Sequence, residues 1–187
     1  MKGEAMHINI KIVPVGNAEF IVPEVQTAES ACADVAVCLN HVDKVKMYDS
    51  DNNEYFQPVE NRDGVMMFVI LRPNHRALIP TGMRFIIKHG FQFKMIPRSG
   101  LSLKHGVTLI NSPGTIDSDY TNETMILLHN TSNVPFICSH HERVAQLELR
   151  ENTTKCVFFT EGTDEEIENH KKSSNREGGF GSTGRKA

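Results

Sequence analysis

Tryptophan is absent from this chain of 187 residues, tyrosine occurs three times, and aromatic residues make up only 7% of it. An excess of one charge sign is lacking too: 20 Lys and Arg stand against 23 Asp and Glu, a formal charge of -3. That near balance removes the bulk electrostatic case for holding nucleic acid or an anionic membrane. No apolar run approaches the roughly 18 residues that cross a bilayer, and the opening MKGEAMHINIK has an acidic residue and no hydrophobic stretch. Neither a spanning helix nor a secretory signal is expected. A cytoplasmic protein is, in the host cytoplasm if the chain is viral and with the nucleus open to it if eukaryotic. In that compartment the Asn-x-Ser/Thr patterns at Asn122, Asn130 and Asn152 carry no glycan. Cys32, Cys38, Cys138 and Cys156 lack the close CxxC pairing of a structural zinc site, so reduced, partly buried thiols are expected.

What the chain has is enough apolar content, 39%, for one ordinary core, distributed in short runs. Apolar or alternating segments of strand length recur at 8–13, 33–39, 65–71, 83–87, 91–96, 107–110, 124–128 and 144–149. Between them stand Arg72-Pro73-Asn74, Lys88-His89-Gly90, Ser112-Pro113-Gly114 and Asn130-Thr131-Ser132-Asn133, where turn-forming residues interrupt regular structure. Many short strands with short turns predict an all-β sandwich or barrel. The polar stretch 43–63, with Asp49-Ser50-Asp51-Asn52-Asn53, reads as a surface excursion. After residue 160 an acidic run passes into Lys171-Lys172 and then into Gly178-Gly179-Phe180-Gly181-Ser182-Thr183-Gly184. The expected division is a β domain over 1–160, carrying an inserted segment around 41–65, and a linker with a glycine-rich arm over 161–187.

Several groups could carry chemistry. Pro97-Arg98-Ser99-Gly100-Leu101 places a guanidinium, a hydroxyl and a free glycine together at a strand end, which suits an anion and would equally suit a plain surface turn. Asn111-Ser112-Pro113-Gly114-Thr115-Ile116-Asp117-Ser118-Asp119-Tyr120 puts two carboxylates and a ring in an expected hairpin. Asp117 and Asp119 share a side if extended, and either could orient a water or a cation. Arg143-Val144-Ala145-Gln146-Leu147 alternates, so Arg143, Ala145 and Leu147 are expected on one side of a strand and Val144 and Gln146 on the other. His140 and His141, adjacent on a strand, point apart and read as surface histidines. The terminal glycines are either a disordered tail or a flap whose amides converge on phosphate oxygens, with Ser182 and Thr183 as donors and Phe180 as a flat apolar face.

Taken in order, Ser30-Ala31-Cys32-Ala33-Asp34-Val35, Pro97-Arg98-Ser99-Gly100-Leu101, Gly114-Thr115-Ile116-Asp117-Ser118-Asp119-Tyr120, Arg143-Val144-Ala145-Gln146-Leu147 and the glycine-rich arm resemble the five motifs of the trimeric dUTPases. Lys104-His105-Gly106-Val107 also resembles the family sequence between the second and third motifs. The resemblance implies a jelly-roll or β-barrel subunit in a closed homotrimer, active sites at subunit boundaries and a flexible C-terminal arm. It implies hydrolysis of dUTP to dUMP and pyrophosphate. Asp117 would position and activate the attacking water, Tyr120 would pack under the deoxyribose, and Asn111 with the backbone of Gly114, Thr115 and Ile116 would meet uracil. Arg98, Ser99, Gly100, Arg143 and Gln146 would serve the phosphates. Asp34 would hold waters around Mg2+, the expected cofactor. From the arm, Phe180 would stack on uracil while Gly181, Ser182 and Thr183 close over the phosphates.

The chain departs from the family pattern at Cys32 or Ala33, Val35 and Asn122, where the family has glycine, leucine and glycine. Asn175 stands where the family has its arm arginine, and Arg176, one step on, takes that assignment. Two other functions compete: a dCTP deaminase of the same superfamily, and a dUTPase-like regulator that binds nucleotide and meets a protein partner through the inserted segments.

Overall fold

Side-chain alternation decides where strands form in this protein: Met83–Ile86 buries every second residue, as does Met125–Asn130. The computed structural model describes residues 8–64, 66–157 and 160–174. Two compact units divide the chain, residues 1–152 and residues 153–187. In chain order the strands of the first unit begin with β1 (Lys11–Pro14), β2 (Glu24–Val25), β3 (Ala33–Ala36), β4 (Lys44–Tyr48) and β5 (Glu54–Pro58). They continue with β6 (Glu60–Arg62), β7 (Met66–Leu71), β8 (Arg76–Pro80), β9 (Met83–Ile86) and β10 (Phe91–Pro97). A helix, α1 (Ser99–His105), precedes β11 (Val107–Leu109), β12 (Gly114–Ile116), β13 (Met125–Asn130), β14 (Phe136–Ser139) and β15 (Arg143–Glu151).

The pairings are antiparallel and form a five-stranded sheet of order β12-β10-β15-β3-β2, another of order β11-β13-β8-β4-β5, a three-stranded sheet β14-β7-β6 and the pair β1-β9. Their inner faces share one core. Val35, Met95 and Leu147 come from the first sheet, Met47, Ile79 and Ile126 from the second, Val69 and Cys138 from the third, and Met83 and Phe85 from the pair. The sheets do not close on themselves among the described residues: β12 and β2 are edges of one, β11 and β5 of the other. The barrel expectation is thus corrected to open sheets packed on a common core, the short strands leaving no continuous ring of hydrogen bonds.

The segment expected as a surface excursion is one only in part: residues 49–63 are half-buried or exposed, and β4 supplies its buried residues. β4 lies between β8 and β5, and its Val45 and Met47 are buried at 2% and 0% exposure. Lys44-Val45-Lys46-Met47-Tyr48 has the two-residue period of a half-buried strand, with its lysines outward.

In the second unit, α2 (Asp164–Ser174) begins at a capping box. The Thr163 hydroxyl accepts from the Glu166 N–H at 3.3 Å, and Glu166 Oε2 accepts from the Thr163 N–H at 2.7 Å. Asp164, Glu165 and Glu166 in the first turn suit the positive end of the helix dipole.

Candidate functional site

Asp34 is the centre of the first group of functional side chains. It sits on β3, 5% exposed, opposite Gln146 of β15. The Gln146 Nε2 donates to its Oδ1 at 3.0 Å, Arg98 Nε lies 3.4 Å from the same oxygen, and Arg143 Nη1 lies 3.2 Å from Oδ2. A buried carboxylate holding two guanidiniums and an amide is charge-compensated and fixes all three partners. Regular alternation would send Arg143 and Gln146 to opposite faces. The register between β15 and β3 shifts between Arg143 and Ala145, and this bulge turns the arginine back toward Asp34. Arg98 Nη1 donates to the Arg143 carbonyl at 2.8 Å, and Arg143 Nη1 also donates to Gln26 Oε1 at 2.6 Å.

Pro97 ends β10, and the chain turns at once into α1, where the motif suits either an anion site or a plain surface turn. Arg98 is its N-cap, so Ser99 and Gly100, both exposed, present first-turn amides without intrahelical acceptors. A pocket of about 560 Å³ opens here, lined by Arg98, Ser99, Gly100, Arg143 and Gln146 together with Lys104, His105, His141 and Glu142. Its free donors and its cationic side chains suit a polyanion.

The second group lies around β12. The expected hairpin is corrected: β11 pairs with β13 in one sheet and β12 with β10 in another, so residues 110–113 cross between sheets. A Cβ at Gly114 would stand 3.0 Å from Asn111 Nδ2, so glycine is what lets the amide approach this backbone. Thr115 is exposed, its hydroxyl accepting from Lys94 Nζ at 2.6 Å, and Ile116 is buried. Asp117 follows the strand in a turn closed by the Tyr120 N–H on the Asp117 carbonyl at 3.1 Å, not in an extended segment shared with Asp119. Asp117 is exposed, and Tyr120 is 39% exposed with its hydroxyl donating to the Glu123 carbonyl at 3.0 Å.

Within one chain the two groups stand apart. Phe93 pairs with Ile116, so Gln92 is level with Asp117, and from Gln92 to Arg98 the strand runs about 20 Å at about 3.3 Å per residue. The pocket beside Arg98 is lined by neither Asn111, Asp117 nor Tyr120. Arg176, Phe180, Gly181, Ser182 and Thr183 lie outside the described residues.

Of the two expected surface histidines, His141 is exposed and His140 is half-buried. They occupy the turn before β15, their ring centroids 3.6 Å apart, and His140 Nδ1 accepts from the Leu39 N–H at 3.0 Å. Burial, with the neighbouring His141, holds the His140 pKa below the ordinary 6.5. The sequence reading also missed Gln26, His41 and Glu123, polar residues whose roles depend on contacts distant in sequence. Among the described residues no group of three His, Cys, Asp or Glu side chains could hold a metal ion, and no helix is long and apolar enough to cross a membrane.

The chain is thus a mostly-β protein with a cationic pocket at a strand end and a separate carboxylate-bearing turn. The family model for dUTPase matches residues 65–184. A deoxyuridine 5'-triphosphate nucleotidohydrolase of Wolbachia pipientis subsp. Culex pipiens (strain wPip) is 45% identical over 117 residues, 63% of this chain and 73% of that relative. Among solved structures, a Staphylococcus bacteriophage 80alpha dUTPase with dUpNHpp superposes with a TM-score of 0.62 at 18% identity, covering 95% of this chain and 99% of the other. A phage phi11 dUTPase of S. aureus, described with a coordinated structural Mg(II) ion, superposes with a TM-score of 0.56 at 15% identity over 84% of this chain and 96% of that one. The chain belongs to the dUTPase family.

Proposed function

We propose that this protein is a dUTP diphosphatase acting in the cytoplasm, which hydrolyses dUTP at the α phosphorus to dUMP and pyrophosphate. The observation that carries the reading is the family match over residues 65–184, which takes in the second group and all of the first except Asp34 and Gln26. Arg98, Ser99, Gly100, Arg143 and Gln146 bind phosphate oxygens, their geometry held by Asp34. Asn111 and the backbone of Gly114, Thr115 and Ile116 meet the polar edge of uracil, where cytosine would leave buried donors unpaired. Tyr120 packs under the deoxyribose. Asp117 accepts a proton from a water, whose oxygen bonds to the α phosphorus as the bond to the bridging oxygen breaks and pyrophosphate leaves.

Separation of the two groups by the length of β10 supports a site completed between subunits, hence the homotrimer. One copy gives the phosphate pocket and a neighbour gives the uracil and water positions. The arm adds Arg176 at the phosphates, Phe180 over the uracil, and Gly181, Ser182 and Thr183 as a cap. Carried on the triphosphate, Mg2+ would reduce the repulsion met by the attacking oxygen. Asp34 fits only a water-mediated part in that: both its oxygens already face arginine, and Oδ1 accepts from Gln146 as well.

Incubation with Mg2+ and dUTP, dCTP, dTTP or UTP tests the assignment, with products resolved by chromatography. The expected result is dUMP and pyrophosphate from dUTP alone. Deamination of dCTP would transfer the protein to the deaminase reading, and binding of dUTP without turnover to that of a regulator.

A further inference from the structure

The side chain assigned to the sugar is held through other residues. The Tyr120 hydroxyl donates to the Glu123 carbonyl at 3.0 Å, so the ring rests where the Glu123 backbone places it. Glu123 is anchored in turn through its carboxylate: Oε1 accepts from the Gly82 N–H at 2.7 Å and from His41 Nε2 at 3.0 Å. The next residue is tied by both backbone groups, the Thr124 N–H donating to the Met83 carbonyl at 2.8 Å and the Thr124 carbonyl accepting from Thr81 Oγ1 at 2.6 Å.

Gly82 admits no side chain. Its φ is +72°, and a Cβ there would stand 2.7 Å from Ala18 Cβ and 2.8 Å from Cys38 Sγ. The tight turn between β8 and β9 therefore delivers its amide to Glu123 at a fixed position. The second donor comes from the loop between β3 and β4. His41 has a side chain only 4% exposed, against 19% for Glu123. Its other ring nitrogen, Nδ1, faces Cys38 Sγ at 3.6 Å. Burial pushes that thiol up to about 11, so it is a neutral neighbour. The imidazole is wedged between a thiol and a carboxylate, with one strong acceptor for Nε2–H.

We infer that His41 is a positioning residue for sugar selection: by holding the Glu123 carboxylate it fixes the peptide on which the Tyr120 hydroxyl rests. The inference rests on the dUTPase reading, which puts Tyr120 under the deoxyribose. A steric filter against a 2'-hydroxyl works only as far as the ring refuses to yield, and the refusal is supplied here by residues that touch no substrate. Without the His41 donor, Glu123 keeps the Gly82 amide but can swing about it, and the 120–123 turn gains freedom. The cost falls on discrimination between deoxyribose and ribose, not on the water held by Asp117.

The test compares His41→Leu, which keeps apolar volume without a donor, with His41→Gln, which keeps an N–H. Steady-state kinetics on dUTP and UTP are read beside NMR of isotopically labelled tyrosine rings, with the Tyr120 signal assigned through Tyr120→Phe. In His41→Leu the ratio of kcat/KM for dUTP to that for UTP is expected to fall about tenfold, mostly through KM, with the Tyr120 signal shifted or broadened. His41→Gln should recover most of both. An unmoved Tyr120 signal and an unchanged ratio in His41→Leu would overturn the inference, as would a glutamine variant no better than leucine. Should His41→Leu fail to fold, His41→Ala replaces it under the same readouts. If the unaltered protein leaves dUTP intact, the dUTPase reading falls by itself, while the ring spectra still decide whether His41 holds Tyr120.

Discussion

Asp34 shows how one buried residue can matter to a site without touching the reacting atoms. Replacing it by asparagine keeps the shape and removes the charge that holds Arg98 and Arg143. Both arginines are partly exposed and water can take over their solvation, so the expected loss is about 1 to 3 kcal/mol, read by urea unfolding. KM for dUTP should rise about tenfold or more as the two guanidiniums lose their common anchor. Asp117→Asn should behave in the opposite way. Asp117 is exposed at the end of β12, so stability and dUTP binding should survive while kcat falls by orders of magnitude. Calorimetry of binding alongside single-turnover rates separates the two cases, and near-normal turnover in Asp117→Asn would remove it from the chemistry. His140 gives a third residue-scale expectation. Its folded pKa lies below the unfolded value of 6.5, so the unfolded chain binds the extra proton first. Stability present above about 6.5 is lost as the pH falls through that value toward the folded pKa, where protonated Nδ1 can no longer accept from Leu39. Thermal melts across this range should show the loss, and His140→Gln should flatten it.

At the scale of elements, the segment between β3 and β7 is the one whose meaning changed most. A Lys-Val-Lys-Met-Tyr pattern has only two strongly apolar residues, and beside an Asp-rich loop it resembles solvent-facing chain. In the sheet those two residues are core, and the lysines lie over the ring of Phe56 at 4.6 and 5.8 Å. Met47→Ala should therefore cost about 2 to 5 kcal/mol, measured by denaturant unfolding. Removal of residues 41–65 should abolish folding, whereas an appended surface loop would come away with the core intact. Strands with longer apolar runs, such as β7, β10 and β15, were legible because burial on one face needs such residues at every second position. The short edge strand β12 was not, since its Gly-Thr-Ile offers too little pattern and its pairing with β10 is distant in sequence. The helix at Asp164–Ser174 was not read, because its segment has so few apolar residues that the Thr-x-x-Glu spacing at Thr163 and Glu166 stood only as part of an acidic linker. The site was legible as motifs but not as geometry. No local pattern announces the bulge that brings Arg143 beside Gln146, or the contact of His41 with Glu123.

For the whole molecule the decisive fact is that a single chain holds the cationic pocket and the Asp117 turn at opposite ends of β10. A substrate reaching both would have to span the strand, or else the two ends must come from different copies. The second arrangement makes a quantitative prediction. Asp117→Asn lacks the carboxylate proposed to activate water, and Arg143→Ala lacks part of the pocket proposed for the phosphates. Each is expected to be nearly inactive alone. Unfolded together in equal amounts and refolded, the two chains should assemble into mixed trimers. Across all the trimers formed by random mixing, about a quarter of the sites pair an intact turn from one copy with an intact pocket from another, so activity should return to about a quarter of the unaltered level. Light scattering on the same samples reports the assembly. Trimers that form without regained activity would place both groups of each site within one chain, and a monomer active by itself would remove the need for partners. Recovery near a quarter would identify the trimer, rather than the chain, as the catalytic unit.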